Sequence, residues 1–119
     1  MPSTRLLIVD DEETIRKQLE WALKDSYSIA TAGTAQEAVR QIKSFSPDLI
    51  ILDLSLSTDP GEFEGFEVLE SALKIDPALK VIVITGHDHK DNALKAIREG
   101  AHDFYTKPVE IEELRIILK

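Results

Sequence analysis

Leu49-Ile50-Ile51-Leu52, followed directly by Asp53, is the stretch on which the fold turns. The run is apolar without alternation, contains β-branched residues and is too short for a typical helix. Unbroken apolarity over such a length suits a strand covered on both faces, as in a parallel sheet between layers of helices. The same kind of run recurs on either side of it, as Leu6-Leu7-Ile8-Val9 and as Val81-Ile82-Val83-Ile84.

The segments between these runs carry helical spacing. Ile15, Leu19, Ala22 and Leu23 share one stripe of a helix ending near Lys24, and Ala35, Ala38, Val39 and Ile42 repeat the pattern. Thr34 with Glu37 three residues later reads as a capping box. Phe66, Leu69, Ala72 and Leu73 mark a third helix, Ala93, Ala96 and Ile97 a fourth, and Ile111, Leu114 and Leu118 a fifth. Gly100 is placed to close the fourth as a C-cap. Weaker strands over Tyr27–Ala30 and Asp103–Tyr105 complete an alternation of strand and helix. That order predicts a doubly wound α/β sandwich, a (βα)5 domain with a five-stranded parallel sheet.

The 119 residues, 43% of them hydrophobic, suffice for one core, so a single domain spanning 1–119 is expected. The net charge of -8 makes phosphate backbones and anionic membranes repulsive, so neither a nucleic-acid contact nor a membrane contact is expected of this domain. There are no cysteines, which removes disulfides, zinc-thiolate sites and thiol nucleophiles. No apolar run approaches the roughly 20 residues needed to span a bilayer, and the first residues lack a secretory h-region; a cytoplasmic location is the expectation. With no stop signal after the fifth helix, the chain reads as the N-terminal part of a longer protein.

Open parallel sheets bind ligands outside the carboxyl ends of their strands. Here those ends carry Asp10 and Asp11 after the first strand, Asp53 after the third, Thr85 after the fourth and Lys107 after the fifth. Converging carboxylates repel one another and raise their own proton affinity unless a cation lies among them. An all-oxygen donor set without His or Cys suits Mg²⁺, with Asp11 and Asp53 as direct ligands and Asp10 acting through water. If a phosphoryl group is the substrate, Thr85 and Lys107 supply a hydroxyl and a fixed cation for its oxygens, and Asp53 is left as the nucleophile.

Val9-Asp10-Asp11-Glu12, Leu52-Asp53-Leu54, Val83-Ile84-Thr85-Gly86 and Tyr105-Thr106-Lys107-Pro108, taken together, resemble the receiver domain of bacterial two-component response regulators over essentially the whole chain. The resemblance implies a flavodoxin-like strand order 2-1-3-4-5 and an aspartyl phosphate at Asp53, formed with Mg²⁺ from a histidine kinase. It implies a switch rather than an enzyme, in which the Thr85 hydroxyl moves toward the phosphoryl group and Tyr105 turns inward. It further implies a cis peptide at Lys107-Pro108, the Ser55 carbonyl completing the metal shell, and Ser55 and His87 tuning the lifetime of the phosphoryl group. A homodimer through the fourth helix, fifth strand and fifth helix, around Ala93, Ile97 and Tyr105, is a further expectation.

The chain departs from the family pattern after the acceptor, where Ser57 stands in place of a common proline and Thr58-Asp59-Pro60-Gly61-Glu62-Phe63-Glu64 precedes Gly65. That longer loop, with Arg16-Lys17-Gln18-Leu19 and Asp103-Phe104-Tyr105, looks like regulators associated with exopolysaccharide and PEP-CTERM protein sorting. In such proteins the resemblance implies an AAA+ ATPase and a helix-turn-helix output domain, and this stretch contains no G-x-x-x-x-G-K-[ST] run.

Taken singly, each residue has a plainer reading. Asp10 and Asp11 would cap a helix, Thr85 would end a strand, Lys107 would be a solvated charge, Tyr105 would be packing, and Glu62 and Glu64 a solvated loop. His87, His89 and His102 have no metal-ligand spacing. Only the joint pattern favours a site. A haloacid-dehalogenase-like phosphatase also uses an Asp nucleophile and Mg²⁺, but needs a second Asp two residues on, where this chain has Ser55. A phosphorylation-independent pseudo-receiver would lack the acidic pair, the acceptor or the lysine, and all are present.

Overall fold

A computed structural model describes residues 4–54, 64–86, 90–108 and 110–118. Strands and helices alternate as β1 (Arg5–Val9), α1 (Glu13–Leu23), β2 (Ser28–Ala32), α2 (Ala35–Phe45), β3 (Leu49–Asp53), α3 (Glu64–Ile75), β4 (Lys80–Thr85), α4 (Lys90–Arg98), β5 (Asp103–Thr106) and α5 (Ile111–Leu118). The strands form one sheet in the order β2-β1-β3-β4-β5, with every pairing parallel. The doubly wound reading and its strand order hold.

Period-2 alternation sends each strand's side chains to two separate cores. Leu7, Val9, Ile50, Leu52, Val81 and Val83 pack against α2, α3 and α4. Leu6, Ile8, Leu49, Ile51, Ile82, Ile84 and Tyr105 pack against α1 and α5. All of β3 is buried, as its unbroken apolarity requires.

Local chemistry sets the boundaries. Thr34 Oγ1 accepts from the Glu37 N–H at 3.1 Å, while the Glu37 carboxylate accepts from the Gly33 N–H at 3.3 Å, so the reciprocal half of the capping box lands one residue early. Gly100 follows α4 at φ 113, as a C-cap glycine should. α2 ends instead on Ser46 at φ 53, a left-handed position that its residue type does not advertise. β2 starts one residue later and ends two residues later than Tyr27–Ala30, because an edge strand that is only half-buried blurs its own pattern. Ile97, expected on the inner stripe of α4, is 36% exposed, whereas Ala93 and Ala96 are fully buried.

Gly65, in the first turn of α3, packs directly on the end of β3. A Cβ there would lie 2.6 Å from the Leu54 Cα and 2.9 Å from the Asp53 and Leu54 carbonyl oxygens. Those atoms are backbone and cannot swing away. Gly65→Ala is therefore expected to destabilise the domain by about 1–3 kcal/mol through overpacking. Urea unfolding measures this; an unchanged midpoint would mean that α3 can slide along the sheet at no cost.

The sole tryptophan, Trp21, stands on the outer side of α1 at 73% exposure, with the Lys24 ammonium 3.9 Å from its ring centroid. Among the described residues, no helix is long and apolar enough to cross a membrane.

Candidate functional site

Parallel pairing brings the carboxyl ends of β1, β3, β4 and β5 to one rim. Asp53 closes β3 at 2% exposure, Asp10 follows β1 at 2%, and Thr85 closes β4 fully buried. Carboxylate oxygens of Asp10, Asp11 and Asp53 all lie within 4.8 Å of one another. The Lys107 ammonium donates to Asp53 Oδ2 at 3.1 Å and stands 3.9 Å from Asp10 Oδ2. The Lys107–Pro108 peptide is cis, and the Lys107 N–H donates to the Thr85 carbonyl at 2.9 Å, tying the loop after β5 to the end of β4.

The loop from β1 into α1 is bonded at several points. The Asp10 N–H donates to the Ala32 carbonyl at 3.1 Å, and Asp10 Oδ1 accepts from the Glu12 N–H at 2.9 Å. The Asp10 carbonyl accepts from Arg16 Nη1 at 2.7 Å. Glu12 is the N-cap of α1 and its side chain caps nothing, so neither Asp10 nor Asp11 is that cap. Asp10 Oδ2 is buried without a hydrogen-bond donor among the described residues.

Burial drives the Asp10 carboxyl upward in pKa. The Glu12 N–H opposes this, Asp53 adds to it by repulsion, Lys107 pulls down and Asp11 pushes up, leaving Asp10 at about 7. For Lys107, burial alone would lower the pKa, but Asp53 and Asp10 outweigh it, so the ammonium is held charged. The cluster therefore carries more negative charge than Lys107 neutralises. A buried, donorless carboxylate oxygen facing two further carboxylates fits a hard divalent cation such as Mg²⁺.

Some expectations for the rim need correction. Tyr105 is 8% exposed in the α1–α5 core; its hydroxyl donates to Glu113 at 2.7 Å and accepts from the Glu110 N–H at 3.1 Å. Its ring is already buried, on the opposite face of the sheet from Thr85, so no inward turn toward Thr85 is left for it to make. Phe104, one residue earlier and 36% exposed, is the β5 aromatic on the Thr85 face. Ala93 and Tyr105, offered as dimer contacts, are buried; Leu94, Ile97 and Phe104 are the apolar side chains that α4 and β5 expose. Ser55, His87, His89 and the loop over 57–63 lie outside the described residues, and Glu64 begins α3. His102 is exposed. Arg16 has a polar role that sequence reasoning missed, because a bond to a main-chain carbonyl leaves no pattern of residue types.

Three carboxylates, a buried hydroxyl and a lysine on the carboxyl rim of a 2-1-3-4-5 sheet define the class of CheY-like α/β signalling modules. The family model described as the response regulator receiver domain matches residues 6–119, and the chain belongs to that family. The alginate biosynthesis transcriptional regulatory protein AlgB of Pseudomonas putida is 37% identical over 94% of this chain and 24% of its own length. The nitrogen assimilation regulatory protein NtrX of Azorhizobium caulinodans is 36% identical over the same shares. Among solved structures, NtrX from Brucella abortus superposes with a TM-score of 0.88 at 34% identity, covering 99% of this chain and 26% of that one. The chain thus spans about a quarter of the length of these relatives. It is a receiver domain of the two-component response regulators, akin to those of transcriptional regulators.

Proposed function

We propose that Asp53 is the phosphoacceptor and that a histidine kinase is the donor. The observation that carries this is the Lys107 ammonium, set between Asp53 Oδ2 at 3.1 Å and the donorless Asp10 Oδ2 at 3.9 Å. An Asp53 carboxylate oxygen attacks the phosphorus of the phosphohistidine, a P–O bond forms as the P–N bond breaks, and the imidazole leaves with the bonding pair and takes up a proton. Lys107 and the Thr85 hydroxyl stabilise the charge on the transferring oxygens. Asp11, Asp53 and the Ser55 carbonyl would hold Mg²⁺, with Asp10 bonding one of its waters; when bound, the ion neutralises the developing charge.

Phosphorylation adds negative charge at the end of β3, and movement of Thr85 toward it shifts the α4 face, with Phe104 rather than Tyr105 as the aromatic positioned to follow. Ser55 and His87 set the phosphoryl lifetime. The longer protein carries an AAA+ ATPase and a helix-turn-helix domain and controls transcription in the cytoplasm; the likeness to AlgB, a transcriptional regulatory protein of alginate biosynthesis, supports the transcriptional part and the narrower exopolysaccharide reading. The exposed Leu94, Ile97 and Phe104 form the core of a homodimer face.

Intact-mass measurement after incubation with acetyl phosphate and Mg²⁺ tests the acceptor chemistry. The expected result is one phosphoryl adduct per chain, absent with chelator. An adduct of equal yield in chelator would remove the metal from the reading. No adduct from acetyl phosphate or from candidate kinases would turn it to the pseudo-receiver.

A further inference from the structure

The Arg16 guanidinium does not serve as a counter-ion to the acidic trio. It bonds a main-chain carbonyl, that of Asp10, at 2.7 Å, reaching back from the first turn of α1 across the loop that carries Asp10 and Asp11. Its own N–H is used within the helix, donating to the Glu12 carbonyl at 3.1 Å, so the residue bridges the rigid helix and the end of β1. The same end of the guanidinium covers Gly33 after β2, where a Cβ would come within 2.9 Å of Nη1 and 3.3 Å of Cζ. The absence of a side chain at position 33 leaves the room that the guanidinium fills. The Asp10 N–H is meanwhile anchored to Ala32, the residue before Gly33. Arg16 therefore closes a small ring of contacts through α1, Asp10 and the β2 end, beneath three carboxylates that repel one another.

We propose that Arg16 is a positioning residue for the divalent cation: by fixing the Asp10 peptide against α1, it holds the Asp10–Asp11 pair at ligating distance of Asp53 against their mutual repulsion. It touches neither the cation nor the phosphoryl group. The proposal rests on the reading of the trio as a Mg²⁺ site. A planar guanidinium can hold a carbonyl and cover a glycine at the same time; a lysine ammonium can do only the first.

The test is calorimetric Mg²⁺ titration of the whole chain without phosphodonor, beside thermal melting in chelator. Arg16→Gln is expected to weaken Mg²⁺ roughly tenfold, the usual lower range for loss of a residue that orients ligands. Arg16→Lys should recover part of that loss. Gly33→Ala gives the independent arm, because its methyl displaces the flexible guanidinium while leaving Arg16 in the chain; it should weaken Mg²⁺ in the same direction and keeps the test open if Arg16→Gln folds poorly. A lowered melting temperature with unchanged Mg²⁺ affinity in both variants would assign Arg16 to the fold alone and overturn the proposal. Wild-type protein that binds no Mg²⁺ would overturn the reading of the trio itself, a separate and recognisable failure.

Discussion

Asp53→Asn is expected to form no phosphoryl adduct under conditions that modify the wild type fully. The substitution conserves shape and leaves Asp10, Asp11, Thr85 and Lys107 in place, so what it removes is a charged oxygen nucleophile at the end of β3. A neutral amide oxygen attacks phosphorus poorly, and the Lys107 ammonium loses the anionic partner that stands 3.1 Å from it. Intact mass supplies the readout, and lability of the wild-type adduct to hydroxylamine marks it as an acyl phosphate. The metal-free variant should melt no lower than wild type, because one of three mutually repelling carboxylates is gone. Persistence of a hydroxylamine-labile adduct in Asp53→Asn would move the acceptor to another carboxylate, with Asp10 and Asp11 next to examine.

Asp10→Asn should stabilise the metal-free domain at neutral and alkaline pH while weakening its response to Mg²⁺. The folded-state pKa of Asp10 rises from 3.8 to about 7, so between those values the folded chain holds this proton more tightly than the unfolded chain. Stability from this group is present below pH 4, falls as pH rises through the window, and levels off above about pH 7. One pKa unit is worth about 1.4 kcal/mol, which sets a ceiling of roughly 4 kcal/mol; with a trio that can relax, about 2 kcal/mol is the expected size. Asn cannot ionise, and its Oδ1 can still accept from the Glu12 N–H, so the variant removes the charge and keeps the turn. Urea midpoints across about pH 4 to 8 in chelator, which takes in the Asp10 window and a little beyond it, should slope downward up to about pH 7 for wild type and lose that component in Asp10→Asn. Parallel slopes would show that Asp10 does not titrate in this range.

Much of this molecule could be read before its structure, for an identifiable reason. A parallel sheet buried on both faces writes its inner strands as unbroken apolar runs, and Leu6–Val9, Leu49–Leu52 and Val81–Ile84 are such runs. Because all strands point the same way, the polar residue after each run must meet its counterparts at one rim, which brought Asp10, Asp53 and Thr85 together on paper. The failures are equally local. Phe104 and Tyr105 are adjacent aromatics in a four-residue strand, too short for its alternation to say which one faces which layer. Ser46 takes a left-handed φ without being Gly or Asn. Ile97 mimics a core residue in a helix whose inner stripe is two alanines, Ala93 and Ala96.

The lone indole of Trp21 is already in water, beneath an ammonium and on the outer side of a helix whose inner side is core. Its native emission should resemble that of a free tryptophan, and denaturation can shift it very little. Fluorescence is for that reason a weak meter of folding in this chain, yet it gives a native label on the α1 surface. A blue shift on mixing with a kinase would report that α1 has been covered, with no dye attached and no residue altered.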